Sequence, residues 1–179
     1  MINAVLTGPI HIGKTTICQK VIALVRERGY TVRGILTPPI VAKDGTRLGL
    51  AIVDVATGEQ YCLARTDVDL GGPRVGMYSF DPRALAWGQA RVERAVDSRC
   101  DLLIVDEVGR LELESSQGFL VVFPILRAGI FSRTLIVVRE TLLDHLQTRL
   151  PEVNFTCFKA TVNNRNTLPQ TIVQRMFLP

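Results

Sequence analysis

The chain has 179 residues, of which 47% are hydrophobic, and its formal net charge is +4 at pH 7. This length and composition predict one domain, residues 1–179, with its own core, and exclude a largely disordered protein. The basic residues are dispersed, so there is no clear signal for nucleic acid as the main partner, and the apolar runs are too short to cross a membrane.

The cysteines and the N-terminal segment predict a cytoplasmic protein. The cysteines are far apart and form no C-x-x-C pair, so neither a zinc site nor a disulfide framework is indicated. No basic segment precedes the first predicted strand, and no secretory signal is therefore expected. We expect reduced, mostly buried thiols at Cys18, Cys62, Cys100 and Cys157.

A glycine-rich segment connects the first predicted strand, residues 2–6, to the first predicted helix, residues 14–28. It fits G-x-x-x-x-G-K-[ST], a loop whose backbone N–H groups cradle the phosphates of a nucleotide. Lys14 is expected to reach the β- and γ-phosphates, and the Thr15 hydroxyl is expected to bind Mg²⁺. The predicted nucleotide-binding residues are Gly8, Pro9, Ile10, His11, Ile12, Gly13, Lys14, Thr15 and Thr16.

The middle of the chain predicts an inserted antiparallel β-hairpin at about residues 47–64. A strand at residues 31–36 precedes it, and a glycine-containing turn joins its two β-rich segments. Its role is open: a lid over the nucleotide, a docking surface, or an extension of the sheet edge. A loop at 69–74 and a short strand at 75–80 follow. A helix capped by Asp81 is then predicted to run to about Asp97.

Two adjacent carboxylates, Asp106 and Glu107, directly follow the next predicted strand, residues 101–105. Four consecutive apolar residues there are typical of a parallel strand that is buried on both faces. Ligands of open α/β sheets collect at the carboxyl ends of such strands. Asp106 is therefore predicted to hold Mg²⁺ together with Thr15. Glu107 is predicted to orient and deprotonate an attacking water molecule near the γ-phosphate.

The last third of the chain continues the alternation of helices and strands. A helix is predicted from Ser115 or Ser116 through Arg127, with Pro124 interrupting its second half. Strands at 134–138 and 154–159 and helices at 142–149 and 166–176 follow. The complete pattern predicts an α/β fold with three layers and a mostly parallel central sheet.

These segments resemble the THEP1-type nucleoside-triphosphatases, a family of P-loop NTPases. The resemblance covers residues 8–16, 34–37, 44–50, 53–59, 75–78, 106–113 and 163–166. It implies a P-loop NTPase fold with an added strand between the phosphate-loop strand and the strand that ends in Asp106. It also implies Mg²⁺-dependent hydrolysis of nucleoside triphosphates, including ATP and GTP, with broad base tolerance. Family loops usually carry Pro and Gly where this chain has Ile10 and His11.

Hydrolysis of a triphosphate needs positive charge beyond Lys14 and Mg²⁺. An arginine can contribute about three to five orders of magnitude in rate. The candidates are Arg74, Arg110, Arg139 and Arg165. Arg165 is the first choice as a catalytic residue, since it follows the last predicted strand and matches the Asn-Arg element of the family. If no arginine reaches the site, an activating protein partner would have to supply the charge.

Two other functions remain open from the residues alone. A small P-loop nucleotide or metabolite kinase would need an acceptor pocket and an arginine-rich lid, and no such lid is evident. A switch that binds a partner when nucleotide binds would not need a carboxylate at Glu107. Substitution of Glu107 by Gln separates these functions from hydrolysis.

Overall fold

The computed structural model describes residues 1–177, which form a ten-stranded mixed sheet with helices on both faces. The strands are β1 (Ile2–Thr7), β2 (Val32–Leu36), β3 (Pro39–Val41), β4 (Arg47–Asp54), β5 (Gln60–Arg65), β6 (Arg74–Val75), β7 (Tyr78–Phe80), β8 (Leu102–Val105), β9 (Arg133–Val137) and β10 (Phe155–Lys159). The helices are α1 (Lys14–Glu27), α2 (Pro82–Ser98), α3 (Arg110–Leu113), α4 (Val122–Ala128), α5 (Leu143–Arg149) and α6 (Leu168–Phe177), and a 3₁₀ turn at Glu140–Leu142 precedes α5.

Half of the sheet is parallel, in the order β10-β1-β9-β8-β2. Strand β9 lies between β1, which leads into the glycine-rich loop, and β8, which ends before Asp106. This is the added strand that the family resemblance implies, and the three-layer prediction is confirmed. Because β1 and β8 run parallel, the loop and the two carboxylates meet at the same edge of the sheet.

The parallel strands are buried on both faces, as their continuous apolar runs predict. Successive residues of β1 point to opposite sides: Leu6 packs in the core with α1 and α6, and Val5 packs in the core with α2 and α4. The same alternation separates Ile104 from Val105 in β8. None of the helices described for residues 1–177 is long and apolar enough to cross a membrane.

The other half of the sheet is antiparallel, and the predicted hairpin is its centre. Strands β4 and β5 form the hairpin, and β4 pairs with β2, so the hairpin extends the sheet. The predicted strand at 75–80 is a small hairpin of β6 and β7 that continues this half. Strand β3 was not predicted; it lies off the main path and pairs with β4 only. Pro39 begins it, a position where the missing N–H is tolerated.

The helix predicted from Ser115 or Ser116 through Arg127 is wrong. Helix α3 comes earlier, and α4 begins only at Val122. Pro124 lies in the first turn of α4, where its missing N–H breaks no helical hydrogen bond. Between the helices, Gly118 has a φ of +78°, and a Cβ there would lie 1.9 Å from a carboxylate oxygen of Glu112. The turn therefore depends on a contact with the Glu112 side chain that periodicity does not reveal.

The cysteines also differ in part from expectation. All four cysteines are free thiols in the structure, and Cys18 is fully buried, so burial raises its pKa well above the usual value. Cys62 and Cys157, however, are exposed. Cys62 lies on the solvent side of β5, and Cys157 lies on β10, which is the last strand of the parallel half.

Candidate functional site

The glycine-rich loop lies between the end of β1 and the start of α1. Gly8 has a φ of +142°, and a Cβ there would lie 2.6 Å from the carbonyl oxygen of Ala160, just after β10. Only glycine allows this close approach. The N–H of Ile17 donates to the carbonyl oxygen of Gly13 at 2.9 Å, which begins the helix. The loop therefore presents the N-terminal end of α1 at the edge of the sheet.

Lys14 bends back over the loop. Its Nζ donates to the carbonyl oxygens of Gly8, at 3.0 Å, and of Pro9, at 2.9 Å. Partial burial lowers the pKa of Lys14, and the negative charge of Glu107 opposes this effect. The ammonium group thus faces a pocket that also contains Thr15, Arg47, Asp106, Glu107 and Arg139, and we call it the phosphate pocket.

Asp106 is the most buried acid of the phosphate pocket, with 2% of its surface exposed. Burial, reinforced by the charge of Glu107, raises the pKa of Asp106 to about 6. The N–H of Thr37 donates to its Oδ2 at 3.4 Å. Such a carboxylate gains from a nearby cation, and Thr15 adds a hydroxyl oxygen at the same wall. Hard oxygen ligands of this kind fit Mg²⁺.

Mg²⁺ usually takes only one or two protein carboxylates, with waters and substrate phosphates as its other ligands. Residues 1–177 contain no group of three or more His, Cys, Asp or Glu side chains that could hold a metal ion. The pair of Thr15 and Asp106 therefore fits a metal ion that arrives with a nucleotide, and it does not fit a permanent all-protein metal site.

Glu107 forms an ion pair with Arg139, in which the arginine Nε donates to the glutamate Oε1 at 2.6 Å. Arg139 follows β9, and the N–H of Val108 donates to the carbonyl oxygen of Val137 at 2.8 Å. The ends of β8 and β9 are thus joined beside the phosphate pocket. About a quarter of the Glu107 side chain and two fifths of the Arg139 side chain remain exposed.

Arg47 is a residue of the phosphate pocket that the sequence reasoning did not select. It begins β4, and its Nη1 lies 3.0 Å from Nδ1 of His11. Its Nε is buried and has no hydrogen-bond partner within the described residues. His11 has a φ of +64°, which is unusual for a residue with a side chain. The available signal was a basic residue inside the segment 44–50 that resembles the family.

Arg165 does not lie in the phosphate pocket. It lines a separate pocket with Gly13, Thr16, Lys20 and Asn166, beside the start of α1. Two further candidates, Arg74 and Arg110, are exposed. Arg74 pairs with Asp69 at 2.7 Å, and Arg110 pairs with Glu114 at 2.6 Å. Of the four arginines selected from the sequence, only Arg139 lines the phosphate pocket.

Glu112 anchors the segment that follows the two carboxylates. Its Oε2 accepts from the N–H of Gly109 at 2.8 Å, and its Oε1 accepts from the N–H of Phe119 at 2.9 Å. The side chain is buried, and burial raises its pKa. Glu112 therefore fixes the segment that follows Glu107.

Comparison with known proteins shows the family of the chain. A family model described as NTPase matches residues 3–173. The chain is 39% identical over 179 residues to the nucleoside-triphosphatase THEP1 of Methanopyrus kandleri, and this alignment covers 97% of the chain and 94% of the relative. It is 32% identical to the nucleoside-triphosphatase THEP1 of Thermofilum pendens, in an alignment that covers 97% of the chain and 94% of that relative.

Two solved structures share the fold. THEP1 from Aquifex aeolicus superposes with a TM-score of 0.75 at 20% identity, covering 98% of this chain and 99% of that one. A human cancer-related nucleoside triphosphatase superposes with a TM-score of 0.72 at 24% identity, covering 99% and 98%. Because the family model covers most of the chain and two relatives are 39% and 32% identical over nearly its whole length, the chain belongs to the NTPase family that includes the THEP1 nucleoside-triphosphatases.

Proposed function

We propose that this protein is a Mg²⁺-dependent nucleoside-triphosphatase that hydrolyses ATP, GTP and other nucleoside triphosphates to the diphosphate and phosphate. The observation that carries the proposal is that one pocket contains Lys14 of the glycine-rich loop together with Asp106 and Glu107. Membership of the NTPase family supports the same reaction. The free cysteines are consistent with a cytoplasmic location, which remains a prediction.

The phosphates are proposed to lie along the glycine-rich loop, from Gly8 to Thr16. On binding, Lys14 would exchange the carbonyl oxygens of Gly8 and Pro9 for oxygens of the β- and γ-phosphates. Thr15 and Asp106 would hold Mg²⁺, which neutralises negative charge on the phosphates when bound. The elevated pKa of Asp106 supports this role, because an acid that is unstable as an anion gains most from a cation.

Glu107 is proposed to orient and deprotonate the attacking water. The water oxygen forms a bond to the γ-phosphorus, the bond from that phosphorus to the β,γ-bridging oxygen breaks, and the proton passes to Glu107. Arg139 holds this carboxylate in position, because its Nε donates to the glutamate Oε1 at 2.6 Å. Arg139 also lines the phosphate pocket, and its guanidinium is proposed to contact the γ-phosphate of a bound triphosphate as well.

Positive charge for the transition state is proposed to come from Lys14, Arg47 and Arg139. All three line the phosphate pocket. With this charge present in the chain itself, we expect hydrolysis without an activating protein partner. Arg165 is proposed to contact the nucleoside, because its pocket shares Gly13 and Thr16 with the phosphate pocket and continues beyond the start of α1.

The test is phosphate release from ATP, GTP, CTP and UTP, with Mg²⁺ and with a chelator, for the wild type, Lys14→Ala and Glu107→Gln. Glu107→Gln is expected to lower kcat by about 10²–10⁴, since it removes the proton acceptor. Binding of a fluorescent ATP analogue should survive in this variant and should weaken in Lys14→Ala.

The matched control is Glu140→Gln, which changes an exposed glutamate close to Arg139 in sequence that pairs with Lys159. It should hydrolyse at the wild-type rate. Rapid hydrolysis by Glu107→Gln would refute the role of Glu107. The absence of phosphate release from the wild type, despite nucleotide binding, would refute the proposed function.

A further inference from the structure

An apolar cleft opens beside the phosphate pocket, under the antiparallel half of the sheet. Its walls are Leu50, Leu63, Val75, Phe80, Leu111 and Phe119. Its cavity volume is about 60 Å³, and the cleft is open to solvent on one side. Glu107 and Arg139 line both this cleft and the phosphate pocket, so their ion pair stands between the two.

The polar groups of the cleft are concentrated at one end. Thr37, Glu107 and Arg139 lie where the cleft meets the phosphate pocket, and the remaining walls are mostly aliphatic or aromatic. Apolar walls with a few convergent polar groups are typical of small-molecule sites. A water molecule that attacks the γ-phosphate makes no use of such walls, so the cleft fits a second, larger reactant.

The charges of the cleft restrict what that reactant is. Glu112 also lines it, and both of its carboxylate oxygens already accept backbone N–H groups, so this side chain forms a wall and offers no free ligand atom. Glu107 is paired with Arg139 at 2.6 Å, so a charged reactant finds no unpaired charged partner at this end of the cleft. An uncharged apolar molecule with one hydroxyl group fits both the walls and the polar end.

We propose that the apolar cleft binds an uncharged apolar alcohol and presents its hydroxyl to the γ-phosphate for phosphoryl transfer. The alcohol oxygen forms a bond to the γ-phosphorus, the bond from that phosphorus to the bridging oxygen breaks, and the proton passes to Glu107. The products are a phosphate monoester and the nucleoside diphosphate. This inference rests on the proposed function, because both reactions use the same phosphate pocket and the same base.

Benzyl alcohol is a suitable probe, since it combines an aromatic ring with one primary hydroxyl. With Mg²⁺ and γ-labelled ATP, the measured quantity is the ratio of benzyl phosphate to free phosphate. Because the cleft raises the local concentration of the alcohol, this ratio should exceed the molar ratio of alcohol to water by at least about tenfold and should saturate with benzyl alcohol. Methanol, which is too small to use the walls, should give a ratio close to its molar ratio to water.

Val75→Trp fills the cleft. It should lower the ratio of benzyl phosphate to free phosphate to the molar ratio of benzyl alcohol to water. Val75→Phe is a second, smaller obstruction in case the tryptophan variant does not fold, which a thermal melt would reveal. The matched control is Met77→Trp, because Met77 is 69% exposed and lies on the same small hairpin, outside the cleft. Its ratio should equal that of the wild type.

The outcomes separate the two proposals. If phosphate is released and the ratio of benzyl phosphate to free phosphate only equals the molar ratio of benzyl alcohol to water, the proposal that the cleft binds an acceptor is overturned. The proposed hydrolase activity is not affected by this result. Neither product from the wild type would overturn both. Benzyl phosphate that does not decrease in the folded Val75 variants would place the acceptor elsewhere and would also overturn this inference.

Discussion

Asp106 is proposed to bind the metal ion, and the same buried carboxylate destabilises the ligand-free fold. It is almost fully buried, its strongest neighbouring charge is another acid, and its pKa is about 6. At neutral pH the ligand-free protein therefore holds a buried anion that is poorly compensated, which destabilises the fold. A cation at this position would remove the penalty, so nucleotide binding with Mg²⁺ should stabilise the protein by more than its contacts alone would suggest.

We expect Asp106→Asn to stabilise the ligand-free protein, and more so at pH 7.5 than at pH 4.5. The pKa of Asp106 is raised from 3.8 to about 6 in the folded state, so its contribution to stability is complete below the lower value and is lost as the pH rises through the higher one. The difference in the effect between the two pH values should be about 2 kcal/mol.

Urea denaturation of the wild type and the variant at both pH values measures this effect. Asp144→Asn, which changes an exposed aspartate on α5, is the control and should show no such pH dependence. Equal effects of Asp106→Asn at the two pH values would contradict the prediction.

The arginines should divide into two kinetic classes. Arg139→Ala is expected to lower kcat by about 10²–10³, because it removes a donor near the γ-phosphate and the partner of Glu107. Arg165→Ala should instead raise KM several-fold with little change in kcat, because its pocket lies at the start of α1. Steady-state kinetics with MgATP distinguishes these effects. If the two variants exchanged classes, Arg165 would be the catalytic arginine, as the sequence first predicted.

At the scale of elements, the start of β4 and the glycine-rich loop act together through Arg47 and His11. His11→Gly should raise the free energy of unfolding by about 1 kcal/mol, since glycine accepts a positive φ without strain. The same change should lower kcat, because Arg47 loses its side-chain contact at 3.0 Å. Urea denaturation and steady-state kinetics measure the two effects.

Ser116→Gly provides the matched control for this pair of effects. Ser116 also has a positive φ, of 51°, and it is exposed in the turn after α3. Its replacement should increase stability by a similar amount and leave kcat unchanged. An unchanged kcat in His11→Gly would show that His11 is a tolerated loop residue and does not position Arg47.

Helix α3 depends on Glu112. Glu112→Ala should destabilise the protein by about 2–3 kcal/mol, because the N–H groups of Gly109 and Phe119 lose their buried acceptor. Glu112→Gln should cost less, since its amide oxygen still accepts one of them. Glu114→Ala, at the C-terminal cap of the same short helix, removes only an exposed ion pair with Arg110 and should cost less than about 1 kcal/mol. Denaturant midpoints rank the three variants, and equal losses in Glu112→Ala and Glu114→Ala would contradict this account.

At the scale of the whole molecule, the elements that have a clear local sequence pattern were predictable from the sequence. The apolar runs of β1 and β8 indicate buried parallel strands, and the rule that strand ends share an edge then brings Lys14 close to Asp106 and Glu107. Contacts between distant segments were not predictable in this way. Arg47 contacts His11 across 36 positions. The local turn in which Glu112 accepts the N–H of Phe119 was also missed, because its side-chain contact leaves no periodic pattern. The roles of these residues in catalysis remain predictions.

The division of the sheet into two halves has a consequence for how the protein can change. Lys14, Asp106 and Arg139 all follow strands of the parallel half, whereas Leu50, Leu63, Val75 and Phe80 belong to the antiparallel half. Substitutions in the second set leave the first set in place. Substitutions at these wall positions can therefore change the molecule that is admitted beside the nucleotide while the chemistry at the phosphate is retained.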